Sequence, residues 1–253
     1  MKISKTDLIN SIFYPRKSSI AKDEKDHLID VDDKNQVGAR FFLKDKSYDS
    51  IIFFHGNAEL AQEYSDIAEL YHNFKLNFIV CDYRGYGLST GTPTKTNLHS
   101  DAIKLFKYIH KYLRDNSYNK KLIIMGRSLG SASASEIIHH HEGDINACII
   151  ESGFATEYSL LDMMQINPDD INFSLEDGFM NLKKIKQYQK PLFLIHADLD
   201  HIIPFSQAEM MLFESKSLNK DLFTVSGANH NNILMIARLE YFKKIRKFID
   251  SVN

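Results

Sequence analysis

Cysteine is scarce in this chain. The two present among 253 residues, Cys81 and Cys148, sit in or at the end of apolar runs. That suits buried reduced thiols better than a disulfide framework. Long hydrophobic runs are missing too: no stretch approaches the roughly 18 uncharged residues of a membrane span. The opening MKISKTDLIN lacks the continuous apolar core of a secretion signal. A soluble, cytoplasmic protein without stable membrane insertion is therefore expected. Charge of one sign is also lacking, because 31 basic residues face 33 acidic ones and leave a formal charge of −2. No global field recommends nucleic acid as a partner. Internal repeats and low-complexity linkers are absent. What remains is a length that can bury one large core, and one domain over 1–253 with a modest insertion is the expectation. The oligomeric state is not readable from these residues.

The pattern along the chain is α/β. Residues 27–31 and 37–43 read as two strands joined by the polar turn Asp32-Asp33-Lys34-Asn35, which predicts an antiparallel N-terminal edge. From Ser50 onward short apolar runs at 51–54, 78–81, 122–125, 145–150, 191–195 and 222–225 read as strands. They alternate with helix-periodic stretches at 59–74, 97–113, 205–213 and 231–249, and with a small-residue helix after 128. Such alternation implies a mostly parallel sheet with right-handed crossovers and helices on both faces. Residues 155–190 break the rhythm, carrying Met163, Met164, Ile166, Pro168, Phe173, Phe179 and Met180 with no strand between them. That is too long for an ordinary connection. The segment reads as a cap with an adaptable apolar surface over a site, or as an insertion packed on the sheet.

The chain is organised around KKLIIMGRSLGSASAS, where an apolar strand runs straight into Gly126-Arg127-Ser128-Leu129-Gly130 and then into small residues. Strand, tight turn and helix in this order make G-x-S-x-G a nucleophile elbow, with Ser128 exposed at the carboxyl edge of the sheet. The glycines are needed because the serine backbone is strained and side chains beside it would collide with adjoining elements.

A serine hydroxyl needs a base, usually a histidine oriented by a carboxylate. Residues 191–204 read PLFLIHADLDHIIP, an apolar strand with two aspartates at its carboxyl end, where ligands bind in open α/β sheets. Asp200, just past the strand, is the preferred acid and Asp198 the weaker one. Among eleven histidines, His230 lies at the exit of the last strand and is the candidate base. His139, His140 and His141 end a helix. Successive helical side chains diverge, so a helix-end charge is favoured there over a metal site. The tetrahedral intermediate also needs donors for its oxyanion. After the strand IIFFHGN, the backbone amide of Asn57 is the first candidate and that of Leu129 the second, which leaves His55 to brace the loop.

HGN at 55–57, DYRGYGLSTGTP at 82–93, GRSLG at 126–130, DLDHIIP at 198–204 and GANH at 227–230 together resemble the α/β-hydrolase-fold serine hydrolases, specifically the small single-domain esterase and lipase-like group that includes serine hydrolases of fatty-acylated proteins. The resemblance covers the chain from about Ser50 to its end. The order Ser128, Asp200, His230 agrees with that family's serine, acid, histidine order. It implies that Arg84 braces neighbouring loops. Two departures stand out: Ala58-Glu59 follows HGN where a glycine-containing continuation is common, and Ala197 stands where glycine is common. A carboxylate at Glu59 would disfavour anionic substrates near the entrance, but a solvated charge at a helix start is the favoured reading.

The expectation is a serine hydrolase of carboxylic esters or thioesters, with a small-molecule or acylated substrate and no cofactor. Ser128 is the nucleophile, His230 the base, Asp200 its orienter, and Asn57 and Leu129 the oxyanion donors. Three alternatives stay open: a peptidase or amidase with the same triad, a binding module with an idle triad, and membrane association through Ile245 and Phe248 of the basic last helix.

Overall fold

The apolar runs become the sheet. The computed structural model describes residues 4–252, so the first three residues of the stretch read for a secretion signal lie outside the described residues, as does the side chain of Met163. The strands are β1 (Asp26–Asp30), β2 (Gln36–Phe42), β3 (Asp49–Phe54), β4 (Leu76–Cys81), β5 (Leu122–Arg127), β6 (Ala147–Glu151), β7 (Leu192–Ala197) and β8 (Lys220–Val225). They form one sheet in the order β1-β2-β4-β3-β5-β6-β7-β8. β1 and β2 pair antiparallel in the expected hairpin, and β2 pairs antiparallel with β4. From β4 to β8 every pairing is parallel. The hairpin turn is held by Asp32 Oδ1, which accepts the amides of Lys34 and Asn35 at 2.9 Å.

Central strands in such a sheet are buried on both faces, which is why β4 and β7 are buried at every position. Alternate residues feed two separate cores. Ile52, Phe54, Ile79, Cys81, Ile124 and Cys148 point into the one that includes residues of helices α3 (Lys95–Asp115) and α4 (Gly130–His141). Ile51, Phe53, Phe78, Val80, Ile123 and Met125 point into the other, closed by α2 (Ser65–Asn73) and α9 (Leu239–Ser251). Both cysteines are buried and free. In α9, Ile245 and Phe248 face this core, so the apolar side offered for a membrane is occupied by packing. Among the described residues no helix is long and apolar enough to cross a membrane.

Two helices depart from the sequence reading. The 59–74 stretch opens with a 3-10 turn, Ala61–Tyr64, before α2 begins. The last helix is broken: α8 (Ile233–Ala237) ends at Arg238, whose φ of 49° starts the chain in a new direction for α9. Residues 155–190 contain no strand, as expected, and hold short helices α5 (Tyr158–Met163) and α6 (Asn181–Ile185) joined by single 3-10 turns. Leu161, Phe173, Phe179 and Ile185 of this segment are buried in the α3/α4 core. The remaining helices are α1 (Lys5–Asn10) and α7 (Ser206–Glu214).

The topology locates the site. After β3 the chain first adds β4 on one side and then crosses to add β5 on the other, so strand order reverses at β3. A crevice opens outside the carboxyl ends at such a switch point. The loops after β3 and β5, carrying Asn57 and Ser128, flank it.

Candidate active site

Ser128 follows the last residue of β5 with φ 51°, a left-handed conformation that costs a non-glycine residue about 1–2 kcal/mol. Its amide donates to Glu151 O at 2.9 Å, which ties the turn to β6. The flanking glycines permit close approach instead of unusual torsion. A Cβ on Gly130 would overlap the carbonyl of Phe54, coming within 2.6 Å of its carbon, and one on Gly126 would stand 2.8 Å from Ala134 Cβ. Small buried residues from Gly130 through Ser135 let α4 lie close on the sheet, as the sequence pattern predicts.

The three residues chosen from sequence converge. His230 Nδ1 lies 2.7 Å from Asp200 Oδ2, and His230 Nε2 lies 3.0 Å from Ser128 Oγ. A carboxylate can only accept, so Nδ1 carries the proton and Nε2 is left to accept from the serine hydroxyl. Asp200 Oδ1 takes the amides of Ile202 at 3.0 Å and Ile203 at 2.8 Å, which fixes the carboxylate at the end of β7. Burial alone would raise the Asp200 pKa. The hydrogen bond from His230, with these two amides, more than offsets it and holds the group below the usual carboxylate value. Ser128, Asp200 and His230 are 9%, 7% and 4% exposed, so the bonds run between buried side chains.

A cavity of about 260 Å³ opens on Ser128 and His230. Ile12, Phe154, Leu160, Met164, Ile202 and Ile203 give it an apolar wall, to which the 155–190 segment contributes two residues. Asn57 and Leu129 line it as well. No protein acceptor among the described residues engages either backbone amide. The Asn57 side chain instead holds its loop, accepting from the Tyr14 amide at 3.0 Å and the Tyr86 hydroxyl at 2.6 Å while donating to Ile12 O at 2.6 Å.

The other candidates go elsewhere. Asp198 is half-buried and accepts from Ser226 Oγ at 2.7 Å and the Gly227 amide at 2.8 Å, stapling β7 to the loop after β8. His196 is buried with Nε2 2.9 Å from Ile203 O, and burial lowers its pKa; His201 is exposed. His140 pairs with Glu136 and His141 with Asp144. Arg84 braces loops as expected, gripping Asp101 through two nitrogens at 2.6 and 2.8 Å and Asp32 at 2.6 Å. His55 braces too. Its Nδ1 meets Gly56 O at 2.7 Å and its Nε2 meets Asp82 Oδ1 at 3.0 Å, so both nitrogens face acceptors and the ring is held as a cation. Burial opposes that charge, yet the bond and field of Asp82, with Glu59, raise the His55 pKa.

One expectation is corrected. Glu59 is not a solvated helix-start charge: it lines the cavity, pairs with Arg127 Nη1, accepts the Tyr64 hydroxyl, and receives the Gly56 amide at 2.9 Å. Burial would raise its pKa, but Arg127 and His55 hold it lowered. Sequence reasoning passed over Arg127. Its guanidinium also reaches Glu151 Oε1 through Nε at 3.2 Å and the backbone carbonyl of His230 through Nη2 at 2.8 Å. A signal was available: one charged residue closing an otherwise apolar central strand must find partners.

Residues 45–166 match a family model described as serine aminopeptidase, S33, a span that includes Asn57, Ser128 and Leu129 and ends before Asp200 and His230. The chain is 28% identical over 206 residues to alpha/beta hydrolase domain-containing protein aho-3 of Caenorhabditis elegans, over 81% of this chain and 58% of that protein. It is also 28% identical over 201 residues to human alpha/beta hydrolase domain-containing protein 17B, over 79% of this chain and 66% of that one. The chain thus spans less than two thirds of the length of these relatives. Among solved structures, esterase Pf2001 from Pyrococcus furiosus superposes with a TM-score of 0.74 at 19% identity, over 94% of this chain and 98% of that one.

Proposed function

The chain is an α/β-hydrolase-fold protein, and we propose that it is a serine hydrolase cleaving carboxylic esters or thioesters through an acyl-enzyme. The observation that carries this reading is His230, within hydrogen-bond distance of Ser128 Oγ on one side and Asp200 on the other. Ser128 Oγ attacks the acyl carbonyl carbon while its proton passes to His230 Nε2. The carbonyl oxygen gathers negative charge opposite the amides of Asn57 and Leu129, which stabilise it. Collapse breaks the bond to the leaving alkoxide or thiolate, which takes the proton from His230 and departs. Water then repeats the sequence on the acyl-serine, releasing the acid and restoring the hydroxyl. Asp200 stays ionised and keeps the imidazole in the tautomer the cycle needs. The apolar cavity wall suits an uncharged acyl group, and Glu59, neutralised by Arg127, leaves no bare carboxylate to repel one.

Ser128→Ala tests the proposal. Hydrolysis of p-nitrophenyl esters should fall by at least about 10⁴-fold, with only the residue due to binding and oxyanion donors left. A purified variant that keeps the wild-type rate ends the assignment. A second reading, amide cleavage, is favoured by the serine aminopeptidase description of the matching family model. The same triad serves both leaving groups. Matched ester and amide substrates with one acyl group decide between them.

A further inference from the structure

Arg127 uses three nitrogens to hold three separate segments of the chain, two through carboxylates and one through a backbone carbonyl. Nη1 meets Glu59, whose other oxygen takes the Gly56 amide, so the guanidinium grips the loop after β3 that bears Asn57. Nη2 donates to the carbonyl of His230 in the loop after β8, and Nε reaches Glu151 at the end of β6. Gly56 bears the imprint of this arrangement. Its φ is not positive, so no turn requires glycine there, yet a Cβ would overlap Arg127 Nη1 and come within 2.6 Å of Glu59 Oε1. The backbone is cut away for the ion pair. Glu151 is itself anchored by the Tyr241 hydroxyl from α9, so Arg127 does not swing freely on its strand.

We infer that Arg127 is a positioning residue that locks the oxyanion-side loop and the base-bearing loop to the nucleophile strand, through Glu59 on one side and the His230 carbonyl on the other. The inference rests on the acyl-transfer reading above. A planar fork of five N–H donors can hold three acceptors in fixed directions, whereas an ammonium cannot. The residue beside the nucleophile therefore sets the distance from Ser128 to both groups that act on it. Its effect falls on the transition state, because the oxyanion and the imidazolium exist only there.

The test uses the full chain with Arg127→Gln, Arg127→Lys and Glu59→Gln, measuring kcat and KM on a p-nitrophenyl ester together with amide hydrogen exchange. Arg127→Gln should lower kcat about 10²-fold, the scale of one lost oxyanion donor, with KM changed by less than about threefold. Arg127→Lys should stay within about threefold of Arg127→Gln, because charge without the fork does not restore the links. Exchange should quicken at 55–59 and at 228–231 together. Glu59→Gln keeps Arg127 bound to Glu151 and His230, so it should lower kcat and quicken exchange at 55–59 alone; it stands in if Arg127→Gln does not fold. A wild-type kcat in Arg127→Gln or Arg127→Lys overturns the inference, as does exchange that leaves either loop unmoved. Should the wild-type chain itself neither hydrolyse acyl esters nor react with a fluorophosphonate at Ser128, the acyl-transfer reading falls. The exchange data then decide the linkage alone.

Discussion

Two buried histidine–aspartate hydrogen bonds stand at the carboxyl edge of this sheet, and beyond them the two rings face different partners. His55 and Asp82 follow β3 and β4; His230 and Asp200 follow β8 and β7. Their contacts are alike, 3.0 Å in one and 2.7 Å in the other. The difference lies in what the second nitrogen meets. For His55 it is the carbonyl of Gly56, an acceptor, so the ring is a fixed cation with no lone pair to offer. For His230 it is the hydroxyl of Ser128, a donor, so the ring keeps a lone pair turned toward a proton, as the proposed base requires. A histidine beside an aspartate is therefore no sign of catalysis until its far nitrogen is known to face a proton.

The sharpest way to break this contrast is to make the same change in both pairs. His230→Leu should lower kcat by about 10⁴-fold or more while moving the thermal midpoint little, since the imidazole contributes chemistry above stability. His55→Leu should do the opposite. It leaves Asp82 buried without its counter-charge, which costs about 3–5 kcal/mol, and the midpoint should fall by about 10 °C. The folded fraction should keep kcat within about tenfold of wild type, because the His55 ring bonds Gly56 O and Asp82 and packs on Tyr83 and Tyr86, away from the Ser128 hydroxyl and the His230 ring. Equal losses of activity in the two variants would erase the distinction.

Titration separates the pairs next, and in opposite directions. The His55 pKa is raised in the folded chain, so its stabilisation is complete below the reference value of 6.5 and fades as pH rises through the folded value. The Asp200 pKa is lowered, so its stabilisation is present above 3.8 and lost as pH falls through the folded value. Thermal midpoints from pH 3 to 10 should show His55→Leu approaching wild type on the alkaline side and Asp200→Asn approaching it on the acid side. A constant gap for either variant contradicts the corresponding histidine–aspartate pairing.

The same contrast explains what could be read in advance. Short apolar runs bounded by turns gave away the central strands, since a strand buried on both faces has few other ways to be written. The elbow was legible because its glycines and small residues answer a packing demand within a few positions. His230 and Asp200 were chosen by their place at the carboxyl ends of the last strands, and the structure brings both together with Ser128. Glu59 was misread because its partner is Arg127, 68 residues away, and a local window sees only a charge at the start of a periodic stretch. The break at Arg238 was hidden for a different reason: hydrophobic period persists across a kink that one positive φ creates.

The smallest effect concerns the two aspartates of DLDHIIP. Asp198 and Asp200 are two residues apart at the same strand end, so position alone barely separates them. What separates them is the loop, which turns Asp200 inward to meet His230 and two amides and leaves Asp198 outward on Ser226 and Gly227. Asp200→Asn should cost about 10³–10⁴ in kcat, because an amide there favours the wrong imidazole tautomer. Asp198→Asn keeps an oxygen for the Gly227 amide and loses only part of an exposed staple, so stability should change by about 0.5 kcal/mol and kcat by less than twofold. Chemical denaturation and steady-state kinetics on the two variants measure this directly. A loss of kcat in Asp198→Asn comparable to that in Asp200→Asn would mean that the staple, and not the inward carboxylate, holds His230 in place.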